Sequence, residues 1–290
     1  MASYIDDDEA PPPYSAAVRG KKNQRKTIGS TTGTGSRAPP KPSSAQRHTS
    51  SSALGCNARQ FPPAFSMYRE DFWGKRYFIG QSRDCPLYAV VLHSGFSTES
   101  ELVLHANVSG NSPPMATVDG ILFSNSVSIV LPPRPGSQLP RAEEILEFYG
   151  SFTRVRSFSI ETNAPSLNSH VGSRERFEWR HSSGPEVGSL GGQFSGWKLV
   201  RLSSNSSHVP DPQNPPRREG DVFGRSSDGS EIVAVWAWSS WSMPEVLHFK
   251  FLGSGADGSL GDRWAIMAVI SALAIWNKER KQKRGGVGTA

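Results

Sequence analysis

The hydrophobic segment of residues 264–276, WAIMAVISALAIW, constrains the fold of this chain more than any other stretch. On a helix its side chains are apolar or small on every face, so the helix needs burial on all sides rather than along one stripe. At 1.5 Å per residue it would be roughly 20 Å long, well short of the roughly 30 Å hydrocarbon core of a bilayer. We therefore predict a helix enclosed by protein and not a transmembrane protein. A short membrane anchor is the alternative.

The residues before this segment contain short runs that are typical of β-strands. Turn residues (Gly, Pro, Asn and Ser) separate most of these runs. In RFEWR at 176–180, Phe177 and Trp179 alternate with charged side chains, as in a strand with one buried and one solvated face. No crossover helix separates the runs, which favours antiparallel pairing. The predicted strands lie at 87–93, 101–107, 115–123, 126–131, 152–161, 175–180, 197–202, 222–225, 232–238 and 245–252.

A large antiparallel sheet and an all-round hydrophobic helix together predict a closed barrel. Closure removes the two exposed edges of the sheet, and a barrel of about twelve strands is wide enough to hold a helix roughly 10 Å across. The predicted fold class is mainly β (α+β), with a closed antiparallel β-barrel at 61–284 around a central C-terminal helix at about 260–284. Ser259 and Asp262 would form a capping box at the start of the helix.

Two stretches interrupt the strand pattern. Residues 141–149, RAEEILEFY, are predicted to form a short surface helix because their apolar residues cluster between polar flanks. Residues 203–220 contain four prolines and are predicted to form a long loop.

The two ends of the chain have a different composition from the rest. Residues 1–60 hold 9 Lys/Arg against 4 Asp/Glu, residues 61–277 hold 18 against 21, and residues 278–290 hold 5 against 1. Because the central part is slightly acidic, nucleic acid is not an expected partner. Residues 1–60 are rich in Ser, Pro and Lys and, like residues 285–290, are predicted to be disordered.

A proline-rich motif stands near the beginning of the chain. Pro11, Pro12, Pro13 and Tyr14 form a Pro-Pro-x-Tyr segment, the polyproline II form that WW domains bind with an aromatic groove and a tyrosine pocket. We expect it to bind a WW-domain protein, for example a ubiquitin ligase. An inert tail is the alternative.

Two clusters of basic residues are candidate contacts with anionic phospholipid or with nuclear-import factors. Solvated charges without a partner are the alternative. The residues are Lys21, Lys22, Arg25 and Lys26 in the tail, and Lys278, Arg280, Lys281, Lys283 and Arg284 after the hydrophobic segment. These contacts correspond to a cytoplasmic, peripheral-membrane or nuclear location.

Several motifs together resemble fungal proteins of the Tubby C-terminal-like group. They are LYAV at 87–90, HSG at 93–95, VLH at 103–105, PMAT at 114–117, RFEWRHSSG at 176–184, GWKLV at 196–200 and the closing hydrophobic helix. That group is similar to LURP-one-related proteins and phospholipid scramblases, and the resemblance implies a closed barrel around a central C-terminal helix over about 80–280. Tubby domains bind phosphoinositides through a basic surface. The resemblance does not identify which residues of this chain would form such a surface.

The sequence predicts no catalytic centre, no cofactor and no metal site. A G-x-G-x-x-G stands at 253–258, but the second strand of a dinucleotide fingerprint does not follow it, and the acid at about the right distance, Glu279, stands among lysines. The histidines have no metal-ligand spacing, and Glu178 with Arg180 is interpreted as a surface pair. Only Cys56 and Cys85 are present, which excludes a disulfide framework. Trp236, Trp238 and Trp241 are expected to pack the sheet, with an exposed ligand platform as the alternative.

Overall fold

The structure is a computed structural model. It describes residues 60–71, 74–93, 98–120, 125–134, 138, 141–149, 155–163, 173–191, 193–202, 224–239 and 244–285. Within these ranges, twelve antiparallel strands form a closed barrel in which consecutive strands pair and β1 pairs with β12. The predicted fold class is confirmed. Residues 1–59 and 286–290, where disorder is predicted, and residues 203–220, where a loop is predicted, lie outside the described residues.

The strands run in chain order around the barrel. They are β1 (Ala64–Arg69), β2 (Arg76–Ser82), β3 (Cys85–Leu92), β4 (Leu102–His105), β5 (Pro114–Asp119), β6 (Ser126–Leu131), β7 (Ala142–Tyr149), β8 (Val155–Glu161), β9 (Arg174–Ser182), β10 (Gly196–Leu202), β11 (Glu231–Trp238) and β12 (Glu245–Phe251). The helices are α1 (Pro185–Gly188), α2 (Gly253–Asp257) and α3 (Asp262–Gly285).

Helix α3 fills the interior of the barrel. Ala268, Ile270 and Trp276, which point in different directions from the helix axis, have no exposed surface. They belong to one hydrophobic core with the inward side chains of the strands. Ser271, a polar residue in the middle of the helix, accepts a hydrogen bond of 2.8 Å from the indole Nε1 of Trp179 on β9. The wall of the barrel, formed by the twelve strands, thus buries helix α3 on every face.

Aromatic side chains of α3 contact the strands at both ends of the barrel, which we name after the start and the end of this helix. At the helix-start mouth, Trp264 of α3 packs 5.9 Å from Phe251 at the end of β12. At the helix-end mouth, Trp276 packs 5.8 Å from Trp238 at the end of β11 and 5.1 Å from Tyr77 of β2. Because the strands alternate in direction, the end of each odd-numbered strand and the start of the next even-numbered strand lie at the helix-end mouth.

A buried carboxylate ties α3 to the wall at the helix-start mouth. The side chain of Glu144 on β7 is 1% exposed and accepts hydrogen bonds from Arg263 of α3 at 2.9 Å, from Arg134 at 3.1 Å and from Arg174. Burial by itself would raise the pKa of Glu144, but the hydrogen bonds from Arg174 and Arg263 outweigh it and hold that pKa below its ordinary value. Arg263 also binds Glu161 at 3.0 Å.

The predicted helix at 141–149 is wrong, because this stretch forms strand β7. Its side chains alternate, with Leu146 and Phe148 buried and Ile145 and Tyr149 exposed. Glu144 occupies the inward position that an apolar residue would normally hold, and this masks the two-residue period in the sequence. Ion pairs with the surrounding arginines offset the free-energy cost of burying this inward-facing carboxylate.

Smaller differences from the sequence prediction concern strand number and the start of α3. Strands β1 and β2 were not predicted, and in the described part of 222–225 Arg225 forms only an isolated bridge with Glu231. The capping box is wrong, since α3 begins at Asp262 and the hydroxyl of Ser259 donates to the carbonyl of Ser254. The G-x-G-x-x-G forms the short helix α2, where a Cβ on Gly255 would lie 2.2 Å from the carbonyl oxygen of Val233.

A charge in the middle of α3 should abolish folding. Ala268→Asp would place an unpaired carboxylate in the core, and we expect a loss of more than about 4 kcal/mol, comparable with the whole stability of a typical domain. Soluble yield and thermal unfolding by circular dichroism measure the effect. Gln282→Asp, on the exposed part of the same helix, is the control and should cost less than about 1 kcal/mol. A soluble, folded Ala268→Asp variant that lost only membrane association would mean that α3 is an anchor.

The network around Glu144 should make stability depend on pH. Since the folded-state pKa is depressed, its stabilisation is present at neutral pH and is lost as pH falls from about 4.5 through the folded pKa. We expect Glu144→Gln to cost roughly 3 kcal/mol at pH 7, and the difference from wild type to shrink at pH 3. Urea unfolding at several pH values tests this, with the exposed neighbour Glu143→Gln as control. A difference that stays constant with pH would contradict it.

Candidate functional site

The basic residues predicted at the end of the chain surround the helix-end mouth. Lys278, Arg280, Lys281 and Lys283 lie on the last turns of α3. Arg284 is part of the same helix, and its side chain is outside the described residues. The predicted tail residues Pro11, Pro12, Pro13, Tyr14, Lys21, Lys22, Arg25 and Lys26 also lie outside the described residues. The structure therefore brings together only the C-terminal cluster.

Two cations share one aromatic ring on the β7–β8 side of this mouth. The Nζ of Lys278 lies 3.9 Å from the centroid of the Phe148 ring, and the guanidinium carbon of Arg156 lies 4.8 Å from the same centroid. Burial, and secondarily the positive charge of Arg156, lower the pKa of Lys278 from its ordinary value. Cation–π attraction to the Phe148 ring offsets part of the electrostatic repulsion between the two like charges.

The other cations of the cluster are also held by the barrel. Lys283 lies with its Nζ 4.0 Å from the Trp238 ring centroid, and Lys281 forms an ion pair of 3.6 Å with Glu101. Arg280 donates to the Oδ1 of Asn277 at 2.8 Å and stacks over Trp276. Of these side chains Lys283 is exposed, while the others are partly buried. The basic residues at the end of α3 thus make contacts within the folded barrel and also contribute surface charge.

Glu279 makes contacts that the sequence analysis did not predict. Its carboxylate accepts one hydrogen bond from the indole of Trp197 at 3.1 Å and another from the indole of Trp238 at 2.8 Å. The two tryptophans belong to β10 and β11, so one acidic side chain fixes the end of α3 to two strands. The signal in the sequence is a single acid within a basic run.

Charge is unevenly distributed around the helix-end mouth. The part formed by β7–β11 carries a basic sector, which we define as Arg156, Lys278 and Lys283, and the carboxylate of Glu279, which is bonded to two indoles there. The part formed by β1–β5 carries four cations, Arg69, Lys75, Arg76 and Lys281, and five acids, Glu70, Asp71, Glu99, Glu101 and Asp119. An anionic surface that contacts the mouth would therefore favour the β7–β11 side.

The described tryptophans that were predicted to pack the sheet do so. Trp236 is fully buried and stacks on Trp197 with 6.2 Å between ring centroids, and Trp238 packs on Trp276. Trp241 lies outside the described residues. The predicted surface pair of Glu178 and Arg180 is confirmed at 2.9 Å, and Arg180 also binds Asp228 at 2.6 Å.

A serine, a histidine and a glutamate meet on the outer wall between β1 and β12. The hydroxyl of Ser66 and the carboxylate of Glu245 lie 3.1 Å and 3.4 Å from one and the same nitrogen of His248, Nδ1. A nucleophilic relay needs the hydroxyl and the carboxylate on different ring nitrogens. The geometry is that of a hydrogen-bonded surface cluster. In the described ranges, no group of three or more His, Cys, Asp or Glu residues has a metal-binding arrangement.

No protein-family model, curated protein or solved structure matches this chain. Among the helices of the described residues, none combines the length and the hydropathy needed to cross a membrane.

Proposed function

We propose that this protein is a non-catalytic interaction module whose N-terminal segment recruits a WW-domain partner through Pro11, Pro12, Pro13 and Tyr14. The observation that carries the proposal is the motif itself, because it supplies both the prolines and the tyrosine that a WW groove binds. A ubiquitin ligase that contains WW domains is the type of partner we favour. The proposed location is the cytoplasm, a membrane surface or the nucleus.

The architecture of the barrel supports a role outside its interior. Helix α3 and the inward side chains occupy the core, so a partner is expected to bind the outer wall, a mouth or a flanking segment. The barrel around a C-terminal helix is also the fold that the resemblance to the Tubby C-terminal-like group implies. We propose membership of that group on the sequence motifs quoted above.

The described part of the chain begins at the helix-start mouth, where the backbone N–H of Gln60 donates to Asp262 at 3.4 Å. The Pro-Pro-x-Tyr motif ends 46 residues earlier in the sequence. The motif is thus separated in sequence from every strand of the barrel.

Loss of the tyrosine should remove WW binding by the full-length chain. We expect Tyr14→Ala to weaken binding to a WW domain at least tenfold, because the tyrosine pocket is left empty, with no change in thermal stability of the barrel. Isothermal titration with a panel of isolated WW domains measures it. Tyr4→Ala removes a tyrosine outside the motif and should bind as wild type does. Equal affinities for wild type and Tyr14→Ala would refute the proposal.

A second candidate function is binding to an anionic phospholipid surface. The specific observation in its favour is the basic sector, where Lys283 is exposed and Arg156 and Lys278 lie on the same side of the helix-end mouth. The resemblance supports this candidate, since Tubby domains bind phosphoinositides. The tail cluster Lys21, Lys22, Arg25 and Lys26 would add further attraction.

Vesicle binding should depend on the basic sector. Each lysine near an anionic surface contributes about 1 kcal/mol, so we expect Lys283→Ala to lower partitioning about fivefold. Sedimentation with vesicles of phosphatidylcholine alone, with phosphatidylserine and with phosphoinositide measures it. Lys75→Ala is the control, because Lys75 is exposed at the same mouth beside the acidic side chains. Equal binding to neutral and anionic vesicles would exclude this function.

A further inference from the structure

Phe194 stands out on the surface of the barrel because most of its side chain is exposed. Among the described residues, the exposed large hydrophobic side chains are Leu87 at 41%, Ile145 at 46%, Tyr149 at 41% and Phe194 at 84%. The first three belong to strands, whereas Phe194 belongs to the connection between β9 and β10. Removing an aromatic ring from water is favourable, so the free energy of burying Phe194 remains available to a binding partner.

The chain on both sides of Phe194 is held against the barrel. Leu190 is buried in a small apolar cluster that includes residues of β11, and Gln193 is buried next to Phe194. On the other side, a Cβ on Gly196 would lie 2.4 Å from the carbonyl oxygen of Trp236, so the absence of a side chain lets β10 approach β11 closely. The exposure of the ring is thus a consequence of how its neighbours are packed.

The strand register places Phe194 at the helix-end mouth. Trp197 of β10 pairs with Trp236 of β11. Phe194 comes three residues before Trp197, and because the ladder is antiparallel it lies towards the end of β11 that carries Trp238. The ring of Phe194 and the rim formed by the end of β11 are therefore at the same mouth.

The basic sector borders this part of the rim. The Nζ of Lys283 lies 4.0 Å from the centroid of the Trp238 ring, and Lys283 is exposed. The guanidinium carbon of Arg156 lies 5.7 Å from the centroid of the Trp197 ring. The acid on this side, Glu279, accepts hydrogen bonds from both indoles. Each of the two tryptophans beside the β9–β10 connection thus contacts a cation, and a negatively charged surface would be attracted there.

The β9–β10 connection itself is uncharged. Residues 187–197 contain no Asp, Glu, Lys or Arg. The charged residues that precede and follow this segment, Glu186 and Lys198, pair with each other at 3.1 Å. The connection can therefore approach lipid headgroups without repelling them and without burying an unpaired charge.

We propose that Phe194 is a membrane-insertion residue, whose ring enters the boundary between headgroups and acyl chains when the basic sector meets an anionic bilayer. The proposal rests on the second candidate function, binding to an anionic phospholipid surface, and adds the residue that orients the barrel on it. The cations supply attraction to the headgroups, and the ring supplies apolar burial. A protein partner would call for a wider apolar patch around the ring, whereas the next residue, Ser195, is polar and exposed.

Vesicle sedimentation with the full-length protein tests the contribution of the ring. We expect Phe194→Ser to lower partitioning onto phosphatidylserine-containing vesicles about tenfold, because the burial of the ring is lost, with thermal unfolding unchanged. Leu87→Ser, which changes an exposed apolar residue of β3 near the helix-start mouth, is the matched control and should bind as wild type does. Raising the salt concentration from about 0.1 M to about 0.5 M should shrink the effect of Lys283→Ala and leave that of Phe194→Ser.

A fluorescent label reports insertion directly. Phe194→Cys, in a full-length variant whose Cys56 and Cys85 are replaced by serine, would carry a nitrobenzoxadiazole group. We expect its emission to shift to the blue with anionic vesicles and to be quenched by spin-labelled lipid, while the same label on Leu87→Cys shows neither change. A label at residue 194 that is already shielded from water before vesicles are added would mean that a second copy of the chain covers the site, and would overturn the proposal.

The outcomes separate insertion from the phospholipid-binding function on which it rests. If wild type binds anionic vesicles and Phe194→Ser binds equally well, or if the label at residue 194 stays in water, insertion is wrong and phospholipid binding stands. If wild type binds anionic and neutral vesicles equally, the phospholipid function and the insertion proposal are both wrong.

Discussion

The fold depends on one physical requirement, which is the burial of a helix that is apolar on every side. A helix with a single apolar stripe can pack on a flat sheet. The hydrophobic part of α3, in contrast, has no face that can be exposed to water without a free-energy cost. A closed wall meets this requirement, and the twelve strands provide it. In return the helix fills a space that the wall side chains could not fill alone. The wall and the helix are therefore parts of a single hydrophobic core.

Polar contacts fix where the helix sits along the barrel axis. Hydrophobic burial alone is non-directional and would tolerate small shifts or rotations of α3. Arg263 binds Glu144 and Glu161 at the helix-start mouth, and Glu279 binds the indoles of Trp197 and Trp238 at the helix-end mouth. Between them, Ser271 meets Trp179 of β9. Directional bonds at both ends and in the middle give the helix one depth and one orientation.

How far the sequence could predict this architecture differs from residue to residue. The barrel followed from two patterns, an all-round apolar helix and many short strands without crossover helices. Strand β7 was predicted as a helix because Glu144 interrupts its apolar alternation, and only the tertiary arrangement supplies the arginines that pair with it. The indole bonds of Glu279 and the short ladder between β7 and β8 depend on residues that are far apart in the chain, so local patterns carried no sign of them. The basic residues of α3 were visible in the sequence, but their contacts with Phe148 and Trp238 were not.

The pairing of β7 with β8 is limited to residues 147–149 and 155–157, and the way the helix is fixed accounts for this short ladder. A carboxylate on the inner side of β7 needs several cations, and one of them, Arg174, comes from β9 across the intervening strand β8. Its guanidinium binds the carbonyl of Ser159, which the ladder between β7 and β8 would otherwise use. The network that fixes the start of α3 thus interrupts strand pairing beside it. The short β7–β8 ladder and the position of the central helix are thus determined by the same charged residues.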